Sequence, residues 1–194
     1  FQKAPTLNQT HIFIDVLWVN TGIAVTTTTA QAITTPTLPA RDTNGQTSGE
    51  GCMIALLTTT ANTNASAIAN STISYTNSKG QSGRTATLTA IQVSQIAATP
   101  VIGTLTWFNL QAGDTGVQSI QSITLGTSLG GGAVSLMSAR DIATIGTTIA
   151  NVSAQKILGS PGIRLYNGTC MLHCILASAT TATFFSGELT IMEK

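Results

Sequence analysis

The stretch HIFIDVLWV, His11 to Val19, places Ile12, Ile14, Val16 and Trp18 on even positions and Phe13, Leu17 and Val19 on odd ones. Successive side chains of a strand face opposite sides, so both faces of this strand are apolar, as in a sheet covered on both sides. Pro36 and Pro39 exclude a helix from the segment that follows and leave it extended. Asn44-Gly45, with its neighbouring glycines and hydroxyl residues, makes RDTNGQTSGEG a loop. CMIALLTTT, STISYTN and RTATLTAIQVSQI read as strands. Pro100 separates the last of these from VIGTLTWFNL, where Val101, Leu105 and Trp107 share a face.

Two segments are out of phase with any simple period. In Leu110–Gly132 the apolar positions Val117, Ile120 and Ile123 fall three apart, and Leu125 follows two later. On a helical wheel these scatter, and glycines bound the segment at both ends. A strand with one β-bulge, or with burial on both sides, accounts for the phase change. ARDIATIGTTIANV carries Ile142, Ile145, Ile149 and Val152 at helical spacing, but Gly146 and its β-branched neighbours permit one helical turn at most. Near the end, Asn167-Gly168 sits between two apolar runs and predicts a tight hairpin. That register sets Leu165 opposite Cys170 and gathers Ile163, Leu165, Cys170, Leu172, Cys174 and Leu176 on one face. TATFFSGELTIM is the expected last strand.

About ten short strands at spacings of about 8–12 residues, separated by glycine turns, define an all-β chain. The expected fold is an antiparallel β-sandwich, jelly-roll-like, as a single domain over residues 1–194, with residues 1–40 as an extended arm or partner-contacting segment. Composition agrees: 35 residues are Thr, which favours strands. Charged residues make up 8% of the chain, against about 25% in an ordinary soluble domain. The net charge of +1 gives no electrostatic case for nucleic acid or an anionic membrane as partner. No apolar run approaches the roughly 18 residues of a membrane helix. Surface polarity comes from hydroxyls and amides, which suits a protomer whose faces meet other protein.

Candidate chemistry is thin. Gly126-Thr127-Ser128-Leu129-Gly130 matches a nucleophile elbow, and Asp141 and His173 follow in the order of that hydrolase pattern. An elbow needs a helix after its serine, and here Gly131 and Gly132 feed a strand, so the segment reads as a loop. Cys170, His173 and Cys174 do not make a metal site on a strand, because His173 points away from both cysteines, which lie about 13 Å apart. With Cys52 they are expected as three buried thiols. Asp42, Asn44, Gln46, Ser48 and Glu50 alternate faintly like a calcium loop, but the glycine and glutamate positions fail, and a solvated loop is expected. Glycosylation sequons at Asn8, Asn64, Asn70, Asn151 and Asn167 are what chance supplies in so Asn-, Ser- and Thr-rich a chain. Trp18, Trp107, Tyr75 and Tyr166 read as core or rim rather than as a sugar platform. No catalytic, cofactor or metal residues are assigned.

Two stretches, LQAGDTGVQSIQSITLGTSLGGGAVSLMSAR and GIRLYNGTCMLHCILASATTATFFSGELTIME, carry a Gly-Asp-x-Gly-Val turn, a Ser-rich strand pair and a closing Tyr-Asn turn with a Thr-rich final hairpin. From Leu110 onward the chain thereby resembles β-rich auxiliary structural proteins of tailed bacteriophage virions. The resemblance implies a non-enzymatic protein of the phage particle surface, a capsid decoration or cement protein stabilising the head. Its partners would be the major capsid protein or other virion proteins, and the few charges, open sandwich edges and two-sided apolar strand of HIFIDVLWV predict a homo-oligomer, a trimer for preference. A neck or tail attachment protein and a carbohydrate- or receptor-binding module are the alternatives.

Overall fold

The computed structural model describes residues 9–64, 71–88, 102–147 and 164–177. Its strands are β1 (Gln9–Asn20), β2 (Gln31–Ala32), β3 (Cys52–Thr60), β4 (Thr72–Asn77), β5 (Arg84–Thr87), β6 (Leu105–Trp107), β7 (Val117–Thr124), β8 (Ala133–Thr147) and β9 (Met171–Ala177). They form a five-stranded sheet, β6-β3-β8-β1-β9, and a four-stranded sheet, β2-β7-β4-β5. Every pairing is antiparallel, and the two sheets pack face to face as a β-sandwich.

The pairing is nested. β4 pairs with β5, β3 with β6, β2 with β7 and β1 with β8. The first eight strands thus behave as one long hairpin, whose successive pairs are dealt alternately to the two sheets. Winding of this kind sends successive connections to opposite ends of the sandwich. At one end Leu129 donates its amide to the Val25 carbonyl, Thr63 and Asn64 donate to Leu129, and Thr58 donates to Thr104. These bonds draw together residues 21–30, 61–64, 102–104 and 125–132. At the other end Gly51 donates to Thr115, Val117 to Gly49 and Ser78 to Gly116, joining 41–51, 78–83 and 109–116.

Between the sheets lie Ile54, Leu56, Val134 and Leu136 from one side and Ile73, Tyr75, Val117, Ile120, Ile123 and Leu125 from the other. Each fully buried Ile or Leu contributes about 1.5–3 kcal/mol relative to an exposed one. The far face of the five-stranded sheet carries a second cluster, Ile14, Ala55, Met137 and Ala139, flanked by Ile12, Val16, Leu57, Leu105 and Trp107. β1, β3 and β8 therefore bury both faces, as the apolar residues on both faces of HIFIDVLWV predict. Leu105 and Trp107 share the expected face; Val101 lies outside the described residues.

The three-residue spacing in β7 has a definite origin. Tyr75 pairs with Ile120 while Ser74 pairs with Ser122, and Asn77 pairs with Val117 while Thr76 pairs with Ser119. Gln121 and Gln118 are thus extra residues, so β7 contains two bulges rather than one. Each bulge resets the alternation and returns Val117, Ile120 and Ile123 to the same interior face. Thr35 completes the second bulge: its hydroxyl accepts from the Ile120 amide at 2.9 Å and donates to the Ile120 carbonyl at 3.0 Å.

Other expectations need correction. No helical turn interrupts residues 139–147, which are continuous strand in β8; the irregularity at Ile142 is a bulge opposite Phe13 and Ile14. The Ile149 and Val152 positions lie outside the described residues, as does the last strand expected at 182–193. Asn167-Gly168 does form a turn, closed by the Thr169 amide on the Tyr166 carbonyl at 3.1 Å. Residues 164–166 are not strand, and β9 takes β1 as its partner, with Phe13 opposite His173 and Ile14 opposite Leu172. β9 pairs with the Gln9–Asp15 half of β1, which also pairs with the Asp141–Thr147 half of β8. These halves form a three-stranded ribbon that contributes no residue to the inter-sheet core.

Candidate functional site

The residues of the hydrolase pattern are not brought together. Ser128 lies in the β7–β8 loop, where its hydroxyl accepts from the Gly130 amide at 3.1 Å. Asp141 stands eight residues past Ala133, about 26 Å along β8 at the rise of an extended strand, with its carboxylate 3.5 Å from the Thr144 hydroxyl. His173 is on β9 against His11 and Phe13. The three cysteines are free thiols, but they are not equally buried as expected. Cys52 is enclosed, Cys174 is half-buried against the outer cluster with Leu172, and Cys170 is exposed beside the turn. Cys170 is bonded to β1 through its backbone, its amide on Asp15 and its carbonyl accepting from the Val16 amide. Burial pushes the Cys52 thiol up to about 12, with the nearby Asp42 charge adding to it. Among the described residues no group of three His, Cys, Asp or Glu side chains is placed to hold a metal ion.

What the fold does assemble is a set of carboxylate hubs at the end that joins 41–51, 78–83 and 109–116. Asp42 is fully buried. Its Oδ1 accepts from the Asn44 and Gln46 amides at 2.9 and 2.7 Å, and its Oδ2 from the Ser48 hydroxyl and Glu50 amide at 2.7 and 3.2 Å. Burial by itself raises this carboxyl, and the four hydrogen bonds more than reverse that, leaving it below its ordinary value. The backbone amides of Asn44, Gln46 and Glu50 and the Ser48 hydroxyl thus close the loop on Asp42, while Asn44 and Gln46 themselves stay exposed to solvent. Its lone pairs are taken by its own loop, which is why the pattern does not present ligands to calcium. Glu50 in turn accepts from Ser78 at 2.6 Å and Thr115 at 3.0 Å, and these bonds hold it low.

Asp114 is the second hub. The Arg84 guanidinium meets it in a fork, Nε to Oδ2 at 2.8 Å and Nη2 to Oδ1 at 3.0 Å. The Tyr75 hydroxyl donates at 2.5 Å and Asn77 Nδ2 at 2.7 Å. Arg84 chiefly, then Tyr75 and Asn77, hold Asp114 well below the carboxylate range. Burial and the bond to Asp114 push Tyr75 up to about 12. Tyr75 is thus core, as expected, with one polar handle that also accepts the Gln111 amide at 2.9 Å.

Asp15 is the third, and sequence reasoning missed it. It lies in mid-strand in β1, fully buried, with Arg41 Nε at 3.4 Å and Arg140 Nη2 at 3.8 Å. The Cys170 amide donates to it at 2.9 Å. Arg41 also donates to the Val16 carbonyl and Arg140 to the Arg164 carbonyl, each at 3.0 Å. The Tyr166 ring lies 5.3 Å from the Arg140 guanidinium and 5.2 Å from that of Arg164, within cation–π range. Gly45, with φ +73°, leaves room for that ring; a Cβ there would stand 2.8 Å from it. Asp15 thereby ties together β1, β8, the 41–51 loop and the 164–170 turn. A signal did exist: one aspartate inside HIFIDVLWV, in a chain so short of charges, implies a buried partner.

On the ribbon, His11 Nδ1 and His173 Nε2 are 3.0 Å apart, and the His173 ring stacks on Phe13 at 4.5 Å. His11 is buried and His173 more open. Burial lowers both imidazoles, and the neighbouring His173 charge lowers His11 further. Trp18 and Trp107 are half-buried in the clusters, as core and rim. Of the sequons, Asn64 donates to the Ser128 carbonyl and Asn167 is the exposed turn residue; Asn8, Asn70 and Asn151 lie outside the described residues. Asp15, Asp42 and Asp114 each spend their oxygens on partners within the fold and tie segments together.

Comparison with family models, with curated proteins and with solved structures gave no match.

Proposed function

We propose that the protein is a non-enzymatic structural component of a bacteriophage particle, a decoration or cement protein of the head, acting as a homo-oligomer, for preference a trimer, on the major capsid protein. The observation that carries this reading is the nested pairing. Eight strands paired β1:β8, β2:β7, β3:β6 and β4:β5 across two sheets support the reading of this sandwich as a jelly roll, a fold recurrent in viral capsid domains. Fold alone is an analogy. Two further points support it: the likeness of the chain from Leu110 onward to phage structural proteins, and the use of Asp15, Asp42 and Asp114 to lock loops. A protein so built works through its surface.

Jelly rolls also serve lectins, which favours a carbohydrate- or receptor-binding module as second reading. The deciding experiment is quantitative mass spectrometry of purified particles. The proposal expects the protein at a copy number that scales with the capsomers. Absence from particles overturns it, and presence at the number of a single ring moves it to the neck or tail. Glycan-array binding lost on Trp107→Ala would favour the second reading.

A further inference from the structure

The few charges of this chain are segregated. The connecting segments 20–31, 58–71, 88–105 and 124–133 contain no Asp, Glu, Lys, Arg or His. The described parts of all four meet at one pole of the sandwich, through the bonds of Leu129 to Val25, of Thr63 and Asn64 to Leu129, and of Thr58 to Thr104. Arg41, Asp42, Glu50, Lys79, Arg84 and Asp114 lie in or beside the connections at the opposite pole. The charge-free pole is not apolar throughout: Thr26, Thr28, Thr59 and Gly130 are exposed there. It also carries two exposed large hydrophobic residues, Ile102 at 69% and Val19 at 44%.

Loops of a soluble domain normally hold its ionic groups, because they face water on most sides. A loop pole with none has no ion hydration to strip when another surface covers it. Charged residues are likewise depleted from the centres of protein interfaces. The identity of the occupant follows from symmetry. Around a rotation axis identical residues approach one another, so any charge near the axis meets its own sign. A pole whose described residues carry no charge escapes that repulsion, and a second copy of this chain brings a matching surface of the same kind to the axis. We propose that the pole formed by residues 19–30, 59–64, 102–104 and 126–132 is the surface through which copies of this chain associate about a rotation axis. The opposite pole, with its locked carboxylates, then faces away from the axis. This rests on the reading of the protein as an assembly component, and it specifies which end assembles.

The test is the mass of the purified chain in the micromolar range, by light scattering and sedimentation equilibrium. Ile102→Glu and Thr28→Glu, made separately, place like charges on the pole. Ser82→Glu and Thr47→Glu place the same charge on exposed positions of the opposite pole. The unsubstituted chain and the two controls are expected to be oligomeric. Each pole variant is expected to associate at least about tenfold more weakly, with a circular dichroism spectrum unchanged from the parent and partial recovery at high salt. Recovery by salt separates charge repulsion from misfolding. A monomeric parent overturns the proposal, as do pole variants that keep the parent mass; binding of a glycan that protects the pole would replace it with a ligand site. The proposal and the virion reading fail separately, since particle mass spectrometry does not depend on which pole makes the contact.

Discussion

Asp15 is enclosed with Arg41 and Arg140, whose side chains are 12% and 4% exposed. Asparagine at this position keeps the shape but removes the only negative charge within ion-pair distance of either guanidinium among the described residues. Breaking a buried pair from one side costs about 3–5 kcal/mol, because the remaining charge has no compensation. Asp15→Asn is therefore expected to lower unfolding free energy by that amount in urea titrations. A loss under about 0.5 kcal/mol would mean that water or other groups already neutralise the two arginines. The same reasoning explains why the residue sits in an apolar strand. The carboxylate pins four segments that are remote in sequence, and a hydrophobic residue in its place could not choose among registers.

At the scale of elements, β9 depends on the ribbon rather than on the sandwich. The pairing of β9 with β1 places His173 opposite Phe13 and within 3.0 Å of His11. One ring must donate and the other accept, so the contact requires at least one neutral imidazole. Both groups are lowered from the ordinary value of 6.5. The sign follows: a depressed imidazole binds fewer protons folded than unfolded, so its contribution is complete above pH 6.5 and is lost as pH falls through the folded value. Hydrogen exchange of the β9 amides is expected to accelerate, relative to intrinsic rates, between pH 7 and about 5. His173→Gln should flatten that dependence. Equal protection of β9 in both variants across the range would show that the pair does not govern docking.

For the whole molecule, the two poles should respond differently to acid. Asp42, Glu50 and Asp114 all titrate below their ordinary values, and all lie at one end. A lowered carboxyl contributes stability that is present above the unfolded value and disappears as pH falls through the folded one. Below about pH 4 the 41–51, 78–83 and 109–116 loops are expected to lose protection first. Residues 21–30 and 126–132, which among the described residues bond only through backbone, hydroxyl and amide groups, should follow only with global unfolding. Residue-resolved hydrogen exchange at decreasing pH reads this directly, and simultaneous loss at both poles would contradict it.

The sequence by itself determined the class of fold and the faces of its strands. Alternation, threonine content and the two-sided apolar run of HIFIDVLWV require a sheet covered on both sides, whatever its neighbours. The turn at Asn167-Gly168 was equally legible, because positive φ is a local demand met by local residues. Only the tertiary structure decided which strand pairs with which. The register of β9 on β1 joins segments far apart in the chain, which no local pattern records. The two bulges of β7 belong to its pairing with β4, so their number could not be read from β7 alone. Asp15 announced a buried partner but not which one: Asp15, Arg41 and Arg140 are scattered along the chain, and only the winding of the sandwich brings a carboxylate and two guanidiniums together where water is excluded.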